Sequence, residues 1–318
     1  MADALTTTNS LTLDQNAYDR VAYFPLRAEL YFDAVADVKP TRQSMPGSAV
    51  IFYLPTEMSA ATSTLNESSD VDAIALADAQ VTVTLLEKGS VAKTTAKARG
   101  TAYQELDPIV VNLVGFNAGL SVDLIAATVL AGGTNVRYPG ASGGTARNTI
   151  LPTDVLTANG VRRATAELRG ANVATFNGMY VGFIHPDVSY DFRGATGTNT
   201  WRDPHTYSDP SAIWNGEIGA FEGVRFIEAQ RAPIVSDAGS STTLTDVYQT
   251  LIVGKQALAK AWSITDGGGP QPSVFPTPII DNLRRFHGTA WYHLYGIGRF
   301  REAAIRRLET ASTIGTNA

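Results

Sequence analysis

The sequence contains no cysteine and only four histidines among its 318 residues. Without cysteine there is no disulfide framework, no thiolate metal site and no cysteine nucleophile. None of the histidines forms the i, i+4 pair with a nearby glutamate that a helical zinc site requires. We therefore predict no metal site, and we expect folding to be independent of the redox state of the surroundings.

The sequence also lacks an excess of positive charge and an uninterrupted hydrophobic segment long enough to span a membrane. Lys and Arg number 25 against 30 Asp and Glu, a formal net charge of -5, which excludes strong nucleic-acid binding through phosphate neutralisation. The longest apolar stretch, residues 109–131, contains Asn112, Asn117 and Asp123, and a carboxylate is unfavourable in the middle of a membrane span. The first residues have no signal-peptide pattern. We expect a protein that is neither inserted in a membrane nor exported.

Apolar residues make up 44% of the chain, enough to fill the interior of about two structural units. The clearest element is a helix at about 108–131, with Asp107 as its cap and Pro108 in its first turn. At 1.5 Å per residue it would be roughly 36 Å long. The apolar spacing predicts a largely buried helix with Asp123 on a different face from the apolar residues. The residues assigned to the buried face are Ile109, Leu113, Phe116, Leu120, Leu124, Ala127 and Ala131.

The other predicted elements follow in mixed order. A turn is expected at 87–90, and a second helix from Thr153 to about Arg169. His185 and Pro186 end a buried strand and open a helical turn. The predicted strands lie at 50–53, 81–86, 179–184, 224–229, 247–253, 289–295 and 303–308. Because helices and strands do not alternate regularly, the sequence predicts an α+β fold rather than a doubly wound sheet.

Charge is distributed unevenly along the chain. The stretch from Thr56 to Asp78 is rich in Ser and Thr and carries acids without any Lys or Arg, whereas the segment that follows is basic. Residues 1–80 have four basic against eleven acidic side chains, and the chain from Asp281 onward has six arginines against three acids. This asymmetry suits head-to-tail contacts between copies, with a solvated loop and an ordinary uneven surface as alternatives. The candidate contact residues are Glu57, Glu67, Asp70, Asp72, Lys88, Lys93, Lys97, Arg99, Arg284, Arg285, Arg299 and Arg301.

One motif is similar to a catalytic one. Residues 140–144, Gly-Ala-Ser-Gly-Gly, match the G-x-S-x-G pattern of a serine nucleophile elbow. That turn needs a strand directly before it and a helix directly after it, whereas Pro139 precedes the motif and an irregular polar stretch follows. We interpret it as a loop and keep a hydrolase using Ser142 as an alternative. No nucleotide-binding glycine pattern is present and His185 with Asp187 is interpreted as a structural turn, so we predict no catalytic residue and no cofactor.

Several ordered blocks in the C-terminal half carry a resemblance to a known family. They are residues 180–191, which begin Tyr-Val-Gly-Phe-Ile-His-Pro-Asp, residues 213–219, 223–228, 247–249 and 254–257, and Trp291. With the polar N-terminal segment and the long helix, they are similar to the major capsid proteins of tailed, double-stranded-DNA bacteriophages. The resemblance extends from about Tyr18 to Thr310.

The resemblance implies the tailed-phage capsid fold, with a long spine helix, mixed sheet domains and a projecting β-hairpin called the E-loop. The implied segments are an N-terminal arm at 1–45, the E-loop at 46–100, the P-domain with the spine at 101–175, mainly the A-domain at 176–280, and the closing strands and C-terminus at 281–318. The resemblance therefore implies a shell subunit, for which no catalytic activity is required.

The resemblance further implies pentamers and hexamers that close into an icosahedral shell around double-stranded DNA, in a virion assembled in the host cytoplasm. The implied partners are copies of the chain, a portal protein, a separate scaffolding protein, decoration or minor capsid proteins, and weakly bound DNA. Some relatives crosslink an E-loop lysine to a neighbour; Lys88 and Lys93 are the candidates here, without a recognisable partner Asn. An encapsulin-type nanocompartment shell, with the same fold around a cargo enzyme, is the alternative.

Overall fold

The computed structural model of the chain describes residues 30–40, 49–62, 64, 67–68, 70, 75–76, 78–102, 106–140, 144–195, 217–240, 242–263, 271–279 and 281–314. Helices and strands are mixed along the chain, which confirms the α+β prediction. The helices are α1 (Ala96–Thr101), α2 (Leu106–Ala131), α3 (Ala158–Gly170) and α4 (Pro186–Gly194). The strands are β1 (Ala36–Pro40), β2 (Ala49–Pro55), β3 (Asp78–Thr84), β4 (Leu86–Thr95), β5 (Val136–Arg137), β6 (Tyr180–Ile184), β7 (Glu217–Phe221), β8 (Val224–Glu228), β9 (Ile234–Val235), β10 (Val247–Val253), β11 (Leu258–Trp262), β12 (Ser273–Pro276), β13 (Phe286–Arg299) and β14 (Ile305–Thr310).

Helix α2 is the long spine that the sequence predicts, but the predicted buried face is wrong except at Ala127. Leu113 and Leu124 are 44% and 40% exposed, while Asp123 is buried. Apolar side chains surround the helix, so their spacing does not single out one face. The residues of the helix that are buried are mainly small, which allows neighbouring elements to approach closely. The buried residues are Val114, Ala118, Val122, Asp123, Ala126, Ala127 and Leu130, a minority of the helix, so the prediction of a largely buried helix is also wrong.

The end of α2 is tied to the rest of the subunit by two arginines. Arg307 Nη1 donates a hydrogen bond to the carbonyl of Ala131, and Arg299 Nη1 donates to that of Val129 at 3.3 Å. Cations are favourable at this end of a helix because its last carbonyls lack partners. By length and composition alone α2 could cross a membrane, a property that long core helices share. The contacts of Arg307 and Arg299 instead attach the end of the helix to the rest of the subunit, between the two sheets.

The five-stranded sheet is built around β13, which is 14 residues long. Strand β4 pairs along one edge of β13, β12 and β11 pair along the other, and β1 adds in parallel to β11. The turn predicted at 87–90 is wrong, because these residues lie inside β4 and Gly89 pairs with Tyr292. A Cβ atom at Gly89 would lie 2.7 Å from the carbonyl oxygen of Trp291. Glycine therefore permits a close approach of two strands here rather than a turn.

The seven-stranded sheet has the order β5-β14-β10-β6-β8-β7, with β9 paired to the start of β10. Every residue of the central strand β10 is buried. Helices α3 and α4 and the end of α2 pack with this sheet into the main core, which includes Leu130, Leu168, Phe183 and Val188. The strands predicted near 224–229 and 247–253 are confirmed here as β8 and β10.

Two predicted boundaries in this region move, and one is confirmed. Helix α3 begins at Ala158 rather than at Thr153, because Thr157 Oγ1 accepts a hydrogen bond from Gly160 N at 3.2 Å and caps the helix. The last strand begins two residues later than predicted, after a 3-10 turn at Glu302–Ala304. Strand β6 ends at Ile184, directly before His185 and Pro186 as predicted, and Pro186 lies in the first turn of α4.

Strands β2 and β3 form a separate hairpin with seven residue pairs. We use the word hairpin for these two strands and their connection, residues 56–77, which is described in part. Its base is attached to the five-stranded sheet by Phe52 and Val83, and the ring of Phe52 lies 5.6 Å from that of Phe300. The expected projecting β-hairpin is therefore present.

Candidate inter-subunit surfaces

The hairpin has an outward face that is apolar and uncovered. Because side chains alternate along β2, Phe52 and Leu54 pack on the sheet, whereas Ile51 and Tyr53 point outward. Tyr53 is 59% exposed, and Met58 and Leu76 in the connection are also exposed, Leu76 to 81%. An exposed group of large apolar side chains is typical of a surface that contacts another protein.

The charged side chains of the hairpin are acidic. Glu57, Glu67 and Asp70 are exposed, as the sequence predicts for contact residues, and Asp78 is exposed at the start of β3. Asp72 lies outside the described residues. No Lys or Arg occurs between residues 56 and 87, so the hairpin presents negative charge only.

Two of the basic candidates near β4 are engaged within the subunit. Lys88 Nζ lies 5.8 Å from the centre of the Tyr295 ring, and Arg99 forms an ion pair with Asp107. Lys93 and Lys97 are exposed. Residues an odd number apart on a strand point to opposite faces, so Lys88 and Lys93 lie on different faces of the sheet. Lys93 is the one on the face opposite α2, because Ala92 packs on α2.

Arg299 and Arg301 lie beside the end of the spine helix. Arg299 Nε is 2.9 Å from Glu302 Oε2, and its guanidinium also contacts Val129. Arg301 is half-buried where the chain enters the 3-10 turn. Glu302 accepts from Thr134 N as well, so this cluster joins α2 to β13 within one subunit. The structure therefore gives Arg299 a function inside the subunit.

Arg284 and Arg285 lie on the turn before β13 and are exposed. Asp281 accepts hydrogen bonds from Arg285 N at 2.8 Å and Phe286 N at 3.3 Å, and the bond from Arg285 holds the pKa of Asp281 below its usual value. Arg284 has φ of 53°. The tight turn thus presents two adjacent guanidinium groups at the edge of the sheet.

The sheet beside this turn has an apolar face that sequence analysis did not find. Val91 pairs with Ala290, which pairs with Phe275 on the other side, so all three point away from α2. Val91 is 50% exposed, Phe275 and Phe286 are exposed as well, and Leu283 in the adjacent turn is 72% exposed. A cleft of about 540 Å³ lies here. It is lined by Val91, Lys93, Thr277, Pro278, Asp281, Phe286 and Gly288. We call this surface the open sheet face.

The polar groups considered for catalysis form a structural arrangement. Tyr248 donates a hydrogen bond to Asp187 Oδ2 at 2.8 Å, and His185 Nδ1 accepts one from Asp187 N at 3.2 Å. Burial lowers the pKa of His185, and burial with the Asp187 hydrogen bond raises that of Tyr248. Both groups are therefore neutral near pH 7, and they fix the start of α4.

Ser142 lies outside the residues that the structure describes. Within the described part of the chain, no group of three or more His, Asp or Glu side chains is placed to hold a metal ion.

A long spine, a projecting hairpin and a mixed sheet with an uncovered face define a structural protein built to associate with other copies. A sequence model of the family described as phage capsid protein matches residues 7–314, so the chain belongs to the phage capsid protein family. No curated protein matches the chain by sequence.

Solved capsid structures have the same fold. The capsid protein of Ralstonia phage GP4 has a TM-score of 0.75 and 14% identity, with 100% of both chains covered. That of Cyanophage Pam1 has a TM-score of 0.73 and 13% identity, covering 98% of this chain and 100% of that chain. That of Cyanophage P-SCSP1u has a TM-score of 0.71 and 15% identity, covering 94% of each.

The family and the fold confirm the resemblance noted from the sequence. The chain is a structural, non-enzymatic subunit of an icosahedral phage capsid, a component of the virion that associates into capsomers. Its function therefore depends on surfaces rather than on a catalytic site. A single copy leaves both the hairpin and the open sheet face uncovered.

Proposed function

We propose that the chain is the major shell subunit, and that within pentamers and hexamers the hairpin of one copy covers the open sheet face of the next. The observation that carries the proposal is the match between the two surfaces. Both have exposed large apolar side chains, and the charged residues of the hairpin are all acidic. The open sheet face has Lys93, Arg284 and Arg285, together with Asp281, which pairs with Arg285 at 3.7 Å. A head-to-tail contact of this kind closes into a ring when the rotation between copies allows it.

The apolar residues supply most of the stabilisation in this contact. Fully burying a large apolar side chain contributes roughly 1.5–3 kcal/mol, and about half of this remains to be gained at Tyr53, Val91 and Phe286, which are 59%, 50% and 43% exposed in a single copy. The cleft between Val91 and Phe286 gives an aromatic or aliphatic side chain a pocket to fill. The contact is therefore expected to survive moderate salt.

The charges mainly set orientation. Exposed ion pairs contribute about 0.2–1 kcal/mol each and weaken as salt is added. Acids on one surface and bases on the other exclude hairpin-to-hairpin contact, because like charges would meet there. Glu57, Glu67 and Asp70 are the proposed acids, with Lys97 beside the basic rim.

The remaining partners are proposed from the family. They are a portal protein, a separate scaffolding protein, decoration or minor capsid proteins, and packaged double-stranded DNA, with assembly in the host cytoplasm. The net charge of -5 supports contact with DNA that is weak and local, because few cations are available to replace counterions. The five-segment layout and the crosslinking candidates Lys88 and Lys93 stay predictions.

The proposal is tested by negative-stain electron microscopy of the full-length protein after size-exclusion chromatography. Rings of five and six or closed shells are expected for the unmodified chain, and monomers for Phe286→Asp. Co-expression with the phage's scaffolding protein is included, since a chain that needs a scaffold would assemble only there. Shells from Phe286→Asp at unmodified yield would contradict the proposed contact. The ratio of absorbance at 260 and 280 nm of shells from infected cells separates a DNA cargo from a protein cargo.

A further inference from the structure

A short 3-10 turn, Phe32–Val35, joins the N-terminal residues to β1 and is held in the core from two sides. Phe32 is buried, with its ring 4.6 Å from that of Phe183 in β6. Asp33 reaches Lys260 of β11, whose Nζ lies 2.7 and 2.8 Å from the two carboxylate oxygens. The turn therefore fixes the point from which the N-terminal segment starts.

The cap of this turn comes from a distant part of the chain. Tyr31, the preceding residue, supplies no side-chain cap. Instead, Asp123 of α2 accepts hydrogen bonds at Oδ1 from Phe32 N at 2.7 Å and from Asp33 N at 3.3 Å. The first N–H groups of a helical turn lack partners within the turn, and a carboxylate is a strong acceptor for them.

The position of Asp123 is unfavourable for a charge. The residue is 1% exposed, and its Oδ2 is buried without a hydrogen-bond partner among the described residues. Burial raises the pKa of Asp123 and the charge of Asp33 raises it further, opposed by the backbone N–H groups of Asp33, Phe32 and Tyr31. A buried carboxylate with an unpaired oxygen is less favourable than the neutral acid. An asparagine oxygen would accept the same two bonds, so capping alone does not require an ionisable group.

We propose that Asp123 is a proton-controlled catch for the N-terminal turn, which docks tightly on α2 when Asp123 is protonated and more weakly when it is ionised. The ion pair between Asp33 and Lys260 is a second attachment of the turn. It keeps the turn close to the core when the hydrogen bonds to Asp123 are broken. Strand β1, at the edge of the five-stranded sheet, moves with the turn, while the seven-stranded sheet stays folded. The inference concerns a single copy and does not rest on the proposed contact between copies.

Other titratable groups surround the catch on three sides. Asp33 comes from the N-terminal side, Lys260 from β11, and Tyr295 from β13. Burial and then the charge of Asp33 raise the pKa of Tyr295 to about 12, so it stays neutral over the range of interest. His293 stacks on Tyr295 with ring centres 4.4 Å apart. Because histidine ordinarily titrates between pH 5 and 8, the test must separate His293 from Asp123.

The direction of the pH dependence follows from linkage. In the open form Asp123 is in water, where an aspartate pKa is about 3.9. The closed form binds the proton more tightly, so closing is favoured at low pH and the advantage is lost as pH rises through the raised pKa. For one proton, the opening equilibrium increases by at most about tenfold per pH unit within this window.

Hydrogen exchange of the Phe32 and Asp33 amides in the full-length protein between pH 4.5 and 8 tests the catch, after correction for intrinsic exchange rates. Protection is expected to fall with rising pH in the unmodified chain and to stay high and constant in Asp123→Asn. Asp107→Asn, on the exposed first turn of the same helix, and His293→Gln are expected to keep the fall. A flat profile in the unmodified chain, or a fall that persists in Asp123→Asn, would overturn the proposal.

A second measurement needs no change at Asp123. Trp262 is opposite Pro40 of β1, so its accessibility reports whether β1 is docked. In a chain that keeps only this tryptophan, by Trp201→Phe, Trp214→Phe and Trp291→Phe, acrylamide quenching is expected to increase with pH in parallel with amide exchange. Quenching that stays constant across this range would also overturn the proposal.

Discussion

Every residue of β10 in the seven-stranded sheet is buried, whereas every residue of β12 in the five-stranded sheet is exposed. The seven-stranded sheet also pairs its buried charge internally, with Glu309 held by Arg147 at 2.8 and 2.5 Å. At the outer end of the five-stranded sheet, large apolar side chains such as Val91 stay in solvent. The two sheets therefore differ in what a single copy buries, and under the proposed contact a second copy covers the outer end of the five-stranded sheet. In a shell subunit, stability and assembly can therefore be assigned to different surfaces.

The largest effect on the free energy of unfolding is expected for a substitution in the main core. Phe183→Ala removes a buried ring that packs on Phe32 and is expected to reduce the free energy of unfolding by roughly 3–5 kcal/mol. Tyr53→Ala on the hairpin, which removes a similar ring from an exposed position, is expected to change it by less than about 1 kcal/mol. Chemical denaturation of the unassembled full-length chain measures both. Equal losses would mean that the hairpin is part of the folding core.

The opposite pattern is expected for assembly. Phe286→Asp places a charge at the centre of the open sheet face and should abolish rings and shells, while the free energy of unfolding changes by less than about 1 kcal/mol. Leu244→Asp is the matched control, since Leu244 is similarly exposed in a turn before β10. Light scattering during assembly and denaturation of the dissociated chain give the two readouts. Loss of assembly with Leu244→Asp alone would place the contact elsewhere.

Charge reversal is expected to have a smaller effect. Arg284→Glu with Arg285→Glu should raise the protein concentration needed for assembly by about twofold to tenfold, because exposed pairs contribute about 0.2–1 kcal/mol each. Adding Glu57→Lys and Asp70→Lys should restore the unmodified concentration, and added salt should reduce the difference. If charge reversal leaves the concentration needed for assembly unchanged at low salt, these charges do not take part in the contact.

The smallest change is expected at a helix cap. Thr157→Ala removes the hydroxyl that accepts from Gly160 N and should reduce the free energy of unfolding by about 1 kcal/mol. Thr157→Ser keeps the hydroxyl and serves as the control. Shells should form normally from both variants once folded. An assembly defect in Thr157→Ala without loss of stability would show that the two regions are not separable.

Local signals in the sequence were sufficient for several elements. The long helix, the strands of the hairpin and the break at His185 and Pro186 depend on apolar runs, caps and proline, and these act within a few residues. The uneven charge along the chain also predicts contact residues in the connection of the hairpin. The predicted turn at 87–90 was wrong because pairing between β4 and β13 outweighed the local preference of a glycine for a turn.

What the sequence could not provide depends on contacts between distant residues. The open sheet face requires the register that places Ala290 opposite Val91, which no local pattern contains. The apolar spacing places Asp123 on a different face from the apolar residues of the helix, yet its partner Phe32 N lies 91 positions away. Charge alone also could not show that Arg299 and Arg285 both have acidic partners within the subunit, Glu302 and Asp281, and that the side chain of Arg285 is the more exposed of the two.

The absence of cysteine allows the central contact to be tested directly. Two versions of the chain, Tyr53→Cys carrying a size tag and Val91→Cys without one, are mixed, assembled and oxidised, and the products are separated on a non-reducing gel. A mixed disulfide dimer that disappears on reduction is expected, and Tyr53→Cys mixed with Leu244→Cys should give none. If assembled shells form no mixed dimer with Val91→Cys, or form it equally with Leu244→Cys, the hairpin does not cover the open sheet face of a neighbouring subunit.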